Sequence, residues 1–288
     1  LNKNSQEIVS MSQNNITFIG GGNMATSLIS GLIADGVEPS SITVCDPDAG
    51  KLAGLTARFT IHAETDNRKA AANAKTIVFA VKPQVLQQVA TELASVIQQE
   101  KPLVISIAAG IREVSLDQWL GGDVALVRAM PNTPALIQTG ATVLHANAVT
   151  SEEQRDQAET ILRAVGLVRW VSDEQLMDAV TALSGSGPAY FFLVMEAMES
   201  AGVAMGLDQE CAHLLTLQTA LGASRMAIES RDSPAQLREK VTSPGGTTER
   251  ALETFEEGQL RELFAAALTS AKDRSQELSD ILGGNKNG

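Results

Sequence analysis

The sequence predicts a doubly wound, mainly parallel α/β sheet followed by an all-α region, and three observations lead there. Up to about Val171, short runs of Val and Ile alternate with stretches of helical periodicity; beyond it the pattern is helical only. The runs are too continuously apolar to alternate, as expected of strands buried on both faces of a parallel sheet. A glycine-rich turn follows the first run and opens an amphipathic helix, the junction from which such sheets are built. The boundary between the two regions is placed near Ser172.

Seven strands are expected: Ile16 to Ile19, Ile42 to Cys45, Thr76 to Val81, Leu103 to Ile107, Val124 to Val127, Ala141 to Leu144 and Val168 to Val171. The later ones have shorter connections, which is compatible with antiparallel pairing. In the second region Phe191, Val194, Met195 and Met198 stand at i, i+3, i+4 and i+7. Leu260, Leu263, Phe264 and Ala267 repeat that spacing, continued by Leu268 and Ala271, and Leu214, Leu217 and Leu221 form a third stripe. Such stripes are packing faces rather than a cofactor box. Met11 reads as a natural start and Gly283 to Gly288 as a disordered tail.

Composition excludes several classes of function. With 34 acidic against 22 basic residues and a net charge of −12, neither nucleic acid nor an anionic membrane is an expected partner. Aromatic residues are only 3% of the chain, too few to form a row of stacking faces for single strands. The two cysteines, Cys45 and Cys211, make no disulfide framework, and His62, His145 and His213 lack metal-ligand spacing, so no metal site is expected. The apolar stretch from Gly187 to Met195 ends at Glu196, well short of the roughly 20 residues of a membrane span. The polar stretch from Leu1 to Asn15 is no signal peptide, so a cytoplasmic protein is expected.

Chemistry enters with Gly20-Gly21-Gly22-Asn23-Met24-Ala25, set between the first strand and a helix carrying Leu28, Ile29, Leu32 and Ile33. In that context the glycines permit a tight turn and close approach of backbone to a pyrophosphate, while Ala25 lets helix and strand pack. The first region is therefore read as a Rossmann-like dinucleotide-binding domain over 14–172, and the second, over 173–282, as a separate helical domain. Asp46 ends the second strand at the spacing of an acid that holds the adenosine ribose 2′-hydroxyl, which favours NADH. Lys51 nearby argues the other way, and Asp46-Pro47-Asp48 also reads as a polar turn starting the next helix. NAD(P)H is the expected cofactor, with a slight lean to NADH.

Three further loops follow apolar strands: Ala80-Val81-Lys82-Pro83-Gln84, Ser106-Ile107-Ala108-Ala109-Gly110 and Arg128-Ala129-Met130-Pro131-Asn132-Thr133-Pro134. In a parallel sheet all three join the glycine turn around one crevice, where Ala108 and Gly110 leave room for a flat nicotinamide ring. Their prolines also read as simple strand terminators. In the helical region, Ser184-Gly185-Ser186-Gly187-Pro188-Ala189-Tyr190 places a proline at a first helical position. Ser243-Pro244-Gly245-Gly246-Thr247-Thr248 precedes a helix expected near Glu249, and its two glycines cost entropy that a simple cap does not require. Bare amides at a helix start make a nest for a small carboxylate, to which the dipole adds roughly 0.3 to 1 kcal/mol. Glu249 competes for the same positive end.

Taken together and in order, these motifs resemble the Δ1-pyrroline-5-carboxylate reductase family, from Ile16 to about Leu278. The resemblance implies a Rossmann domain and a helical dimerisation domain that interlocks with its twin. It further implies an active site joining one subunit's cofactor to the partner's substrate-binding residues, and dimers that often assemble into rings. By the same resemblance Asn67 contacts the cofactor, beside the candidates already read from the glycine turn and the strand-end loops: Gly20, Gly21, Gly22, Asn23, Met24, Ala25, Ala80, Val81, Lys82, Pro83, Ala108 and Gly110. Ser243, Gly245, Gly246, Thr247 and Thr248 cradle the substrate carboxylate, with Thr248 also on the substrate nitrogen. One departure concerns the nucleotide: some members carry an Arg after the second strand where this chain has Asp46-Pro47, so the family's preference does not transfer.

The resemblance implies reduction of 1-pyrroline-5-carboxylate to L-proline, the last step of proline biosynthesis. A protonated cyclic imine is already electrophilic, so the scarcity of acid–base side chains fits this chemistry, and positioning both rings supplies up to about 7 to 11 kcal/mol of barrier reduction. A two-domain hydroxyacid-type dehydrogenase is the alternative enzyme, but Pro188 to Glu196 holds no lysine acid/base. A non-catalytic NAD(P)-binding sensor leaves the Ser243 to Thr248 turn unexplained.

Overall fold

The computed structural model describes residues 15–284. The expected start at Met11 and residues 285–288 of the expected tail lie outside the described residues; Gly283 and Gly284 form a turn. The chain divides into two compact units, Gly187–Ser270 and the remainder.

The larger unit is built on eight strands: β1 (Ile16–Ile19), β2 (Ile42–Cys45), β3 (His62–Glu64), β4 (Thr76–Phe79), β5 (Leu103–Ser106), β6 (Leu126–Met130), β7 (Gly140–Ala146) and β8 (Gly166–Trp170). Their order in the sheet is β3-β2-β1-β4-β5-β6-β7-β8. The first six run parallel, β7 is antiparallel to β6, and β8 is parallel to β7. Antiparallel pairing therefore holds for β6–β7 only; β8 returns parallel because a full helix separates it from β7. Strand β3 escapes the sequence reading: it is three residues long, on the sheet edge and largely exposed, so it carries no apolar run.

Helices cover both faces. On one, α1 (Asn23–Ala34), α2 (Ala49–Phe59) and α6 (Glu152–Arg163) bury Leu28, Ile29, Leu55 and Ile161 against Phe18, Val44, Val78 and Val127. On the other, α3 (Asn67–Ala71), α4 (Pro83–Glu100) and α5 (Glu113–Trp119) bring Ala70, Leu86, Leu93 and Leu116 onto Ile19, Ile77, Phe79 and Val104. Successive side chains of one strand thus enter opposite cores, which is why the strands read as unbroken apolar runs. Local chemistry sets the helix starts: Asp48 caps α2 through the Gly50 and Lys51 amides, Asp66 caps α3, and Ser151 forms a reciprocal capping box with Gln154 on α6. A short helix, α7 (Leu176–Val180), and a π-helical turn (Thr181–Gly185) end the first stretch of this unit.

The smaller unit contains α8 (Gly187–Ala204), α9 (Gln209–Glu229), α10 (Pro234–Lys240), α11 (Thr247–Glu257) and the start of α12 (Leu260–Leu282), which ends in the larger unit. Helices α8 and α9 approach closely at Gly202, where a Cβ would stand 3.3 Å from that of Ala212. Of the 18 residues of α8 only Gly187 and Gly202 are buried, while Phe191, Phe192 and Leu193 are each more than 60% exposed. The expected packing stripes are thus present as helix faces, but their large side chains are not covered within this chain. Among the described residues no helix is long and apolar enough to cross a membrane.

Candidate active site

Strands β1 and β4 are neighbours whose connections leave in opposite directions, so the sheet edge beyond their carboxyl ends is the switch point at which open α/β sheets take ligands. The glycine turn stands there. Gly20 has φ +104°, and a Cβ on it would lie 2.7 Å from the Ala80 carbonyl oxygen, so only glycine lets the two loops touch. Its N–H donates to the Cys45 carbonyl at 2.7 Å. Gly21 donates to Asp46 Oδ2 at 2.9 Å.

Gly22 is different. Its φ of −76° suits any residue, it is exposed, and a Cβ there would meet nothing within 4 Å. The protein's own packing therefore gives no reason for glycine at this point, whereas the close approach of a ligand's phosphate does. Gly22 caps α1 with no side-chain bond, and the first turn of α1 contains no acid, so the positive end of a 12-residue helix is presented to an anion without competition. Asn23 is exposed and Met24 half-buried, while Ala25 is fully buried where α1 meets the sheet. This donor set fits a dinucleotide pyrophosphate.

Asp46 is only 6% exposed. Besides Gly21, it accepts from the Asp48 N–H at 2.9 Å, and Lys51 Nζ stands 3.6 Å away. The polar-turn reading is thus found, with one carboxylate tying the glycine turn to the start of α2, and each oxygen retains a second lone pair. Asn67 opens α3, accepts from the Cys45 thiol at 3.2 Å and donates to Glu92 at 3.3 Å. Burial, helped by the charges of Glu64 and Asp46, raises the Cys45 thiol to about 11, so it stays protonated and holds the Asn67 amide in one orientation.

Beyond β4, Ala80 and Val81 are half-buried, Lys82 is exposed, and Pro83 takes the first position of α4. Ala108 is buried in the second core, its N–H on Ser106 Oγ at 3.4 Å. Gly110 has φ +70°, and a Cβ on it would meet Leu278 and Leu282 of α12 at 3.5 and 3.6 Å. Those are ordinary contact distances, so it is the left-handed backbone that accounts for this glycine, a reason that sequence spacing does not show. Asn132, in the loop after β6, accepts from the Ala141 N–H at 2.9 Å and donates to the Ser184 carbonyl at 3.1 Å. Gly185 leaves room for Met130, whose Cε would collide with a Cβ there. The Ser184–Gly185 motif and the Met130–Asn132 motif are thus fitted to each other.

The sequence reading misses an ionic cluster that joins the buried side chains of Arg128 and His145 to two half-buried carboxylates. Arg128 of β6 is paired with Glu174, which also accepts the Glu113 N–H at 2.6 Å, and the Glu113 carboxylate is 3.2 Å from His145 of β7. Burial and the neighbouring Glu174 charge raise the Glu113 carboxyl above its ordinary value. The cluster pins the segment after β8 to the start of α5. No local pattern announces it, since its members lie far apart in sequence.

In the smaller unit, α11 begins at Thr247, two residues before the expected start, so Thr247 and Thr248 occupy its first turn. Gly246 is the cap, without a side-chain bond; its N–H donates to the Ser243 carbonyl at 3.0 Å, and a Cβ there would stand 2.9 Å from that oxygen. Gly245 has φ +71° and open space where a Cβ would be. Glu249 reaches back to accept the Gly245 N–H at 2.6 Å.

With both regions described, known proteins add a direct comparison. Residues 174–278 match the family described as pyrroline-5-carboxylate reductase dimerisation, and residues 15–110 match the one described as NADP oxidoreductase coenzyme F420-dependent. A pyrroline-5-carboxylate reductase of Pseudomonas aeruginosa is 50% identical over 273 residues, covering 95% of this chain and all of the relative. The chain belongs to the pyrroline-5-carboxylate reductase family. The Escherichia coli member is 37% identical, over 92% of this chain and 98% of its own. Among solved structures, the Coxiella burnetii reductase superposes with a TM-score of 0.89 at 50% identity, covering 92% of this chain and 98% of that one. The Plasmodium falciparum pyrroline carboxylate reductase, solved with NADP bound, gives 0.83 at 27% identity, covering 93% and 99%. The family expected from the motifs is the family found, with its Rossmann-like region and its helical region. The uncovered apolar side chains of α8 and α9 lie within the stretch that matches the dimerisation family, an exposed apolar surface of the kind that self-association covers.

Proposed function

We propose that this protein reduces 1-pyrroline-5-carboxylate to L-proline with NAD(P)H, the last step of proline biosynthesis. The observation that carries the reading is the full-length match to a pyrroline-5-carboxylate reductase at 50% identity. The bare Gly22 at the β1/β4 switch point supports it independently. In this reading 14–172 binds the dinucleotide and 173–282 supplies dimerisation and substrate contacts.

A nicotinamide held there would supply the hydride that the imine carbon takes up. Gly20 and Gly21 set the turn, Gly22 and the first amides of α1 hold the pyrophosphate, and Asp46 and Asn67 border the adenosine half. Ala80, Val81, Lys82, Pro83, Ala108 and Gly110 shape the remaining walls. The amides of Gly245, Thr247 and Thr248, with Ser243, hold the substrate carboxylate, Gly246 lines the cradle with its own N–H on the Ser243 carbonyl, and Thr248 Oγ1 orients the imine nitrogen. No charged side chain of the Ser243–Thr248 turn is needed, because the protonated imine is itself the electrophile. Cofactor half and substrate half come from different copies of the chain, and dimers associate further into rings.

Mixing the purified protein with pyrroline-5-carboxylate and either NADH or NADPH, and following absorbance at the nicotinamide band, tests the reading. Consumption of the cofactor with formation of proline is expected. Turnover of a hydroxyacid instead, or cofactor binding without turnover, would refute it. The ratio of the two cofactors in the same assay assigns the preference on which Asp46 and Lys51 pull in opposite directions.

A further inference from the structure

Glu249 is the acid in the first turn of α11, and its carboxylate does more than complement the helix dipole. An acid at the third helical position commonly bonds back to the amide of the capping residue. Here it reaches one residue further. The cap is Gly246, whose N–H is already on the Ser243 carbonyl, and Glu249 Oε2 takes the N–H of Gly245 at 2.6 Å. That N–H belongs to the turn of amides assigned above to the substrate carboxylate. The neighbouring cation, Arg250, is paired with Glu253 at 2.9 Å and so is directed away from Glu249.

We infer that Glu249 is an internal competitor for the substrate's carboxylate: to occupy the turn, the substrate must take the Gly245 N–H from Glu249, which thereby sets the KM. The inference rests on the reading of Ser243–Thr248 as the carboxylate cradle. An N–H shared between two carboxylates binds each more weakly than one alone, and the displaced acid, tethered four residues away, continues to repel the incoming anion. Glu249 is a positioning residue acting on the cradle, and the chemical step does not pass through it. Its presence raises the substrate concentration at which the enzyme half-saturates without altering the electrophile.

Steady-state kinetics of the full-length protein with two substrates provides the test: pyrroline-5-carboxylate, and 1-pyrroline, the same imine without the carboxylate. Glu249→Gln and Glu249→Ala are expected to lower KM for pyrroline-5-carboxylate by about three- to tenfold, with Ala at least as effective because a glutamine oxygen still accepts the N–H. KM for 1-pyrroline is expected to stay the same. A cap with only a structural role would raise KM or leave it unchanged, and either result overturns the inference. The cradle itself is read separately with Thr247→Pro, which removes one amide at a helix position that accepts proline. If Thr247→Pro raises KM for pyrroline-5-carboxylate alone while the Glu249 variants change nothing, the competitor falls and the cradle stands. If Thr247→Pro affects neither substrate, both fall.

Discussion

The sheet unit and the helical unit solve the burial problem in opposite ways. The central strands of the first, β1, β2, β4 and β5, are enclosed between two helical layers, and Phe18, Phe79, Ile77 and Leu93 are fully buried within one chain. In the second, α8 buries two glycines and leaves Phe191, Phe192 and Leu193 open. Both are rich in apolar residues, so composition does not separate them. What separates them is the partner each apolar face requires: a helix of the same chain for one, a second copy for the other.

The sharpest way to break this contrast is to charge the open face. Phe192→Glu is expected to weaken self-association by about 2 to 4 kcal/mol, a thirtyfold to thousandfold loss visible by analytical ultracentrifugation, while the sheet unit keeps its cooperative unfolding. The same kind of damage inside the sheet unit appears as lost stability. Gly20→Ala, forced to φ +104° against the Ala80 carbonyl, is expected to cost about 2 to 4 kcal/mol in denaturant unfolding and to abolish cofactor binding. A smaller effect is expected for Thr248→Ala: a loss of kcat/KM of about ten- to a hundredfold, with NAD(P)H affinity unchanged by fluorescence titration. Wild-type kinetics in that variant would remove Thr248 from the site.

The mildest test uses the ionic cluster around Glu113. The Glu113 carboxyl is raised, so burial disfavours its charged form. Its favourable contribution is present below the unfolded-state value and is lost as pH rises through the folded-state value. Glu113→Gln removes that penalty, and its Tm relative to wild type is expected to improve as pH increases from the ordinary carboxylate range to neutrality. A Tm difference that is flat or opposite in sign over this range would show that the His145 contact outweighs burial.

The fold was legible where local pattern and tertiary environment agree. β1 and β2 are found at their expected bounds because a short tetrad of β-branched and apolar residues, Ile-Thr-Phe-Ile and Ile-Thr-Val-Cys, fits few alternatives. β3 was not, since an exposed three-residue edge strand is specified by its neighbour rather than by its own side chains. The relative direction of β8 was likewise invisible, because pairing direction depends on what the intervening helix packs against. In the site, the glycine turn was readable from its strand–helix context. The double duty of Asp46, the fit of Gly110 against Leu278, and the Asn132–Ser184 bond join residues distant in sequence, and no spacing rule records such contacts. Glu249 was recognised as a competitor for the helix end, but not the amide it takes.

That two copies are needed to make one working site is the central claim, and Gly22 offers a clean way to test it. Gly22→Asp has an ordinary φ, open space and a residue type suited to capping α1, so the fold is retained while a carboxylate faces the cofactor phosphates and weakens binding by about a hundredfold. Dimers carrying one Gly22→Asp copy and one Thr248→Ala copy can be isolated with two affinity tags. If each site joins cofactor residues of one copy to Thr248 of the other, one site of the two escapes both changes, and about half of wild-type activity returns. If each site lies within a single chain, every site carries one defect, and activity no higher than that of the separate variants would contradict the account.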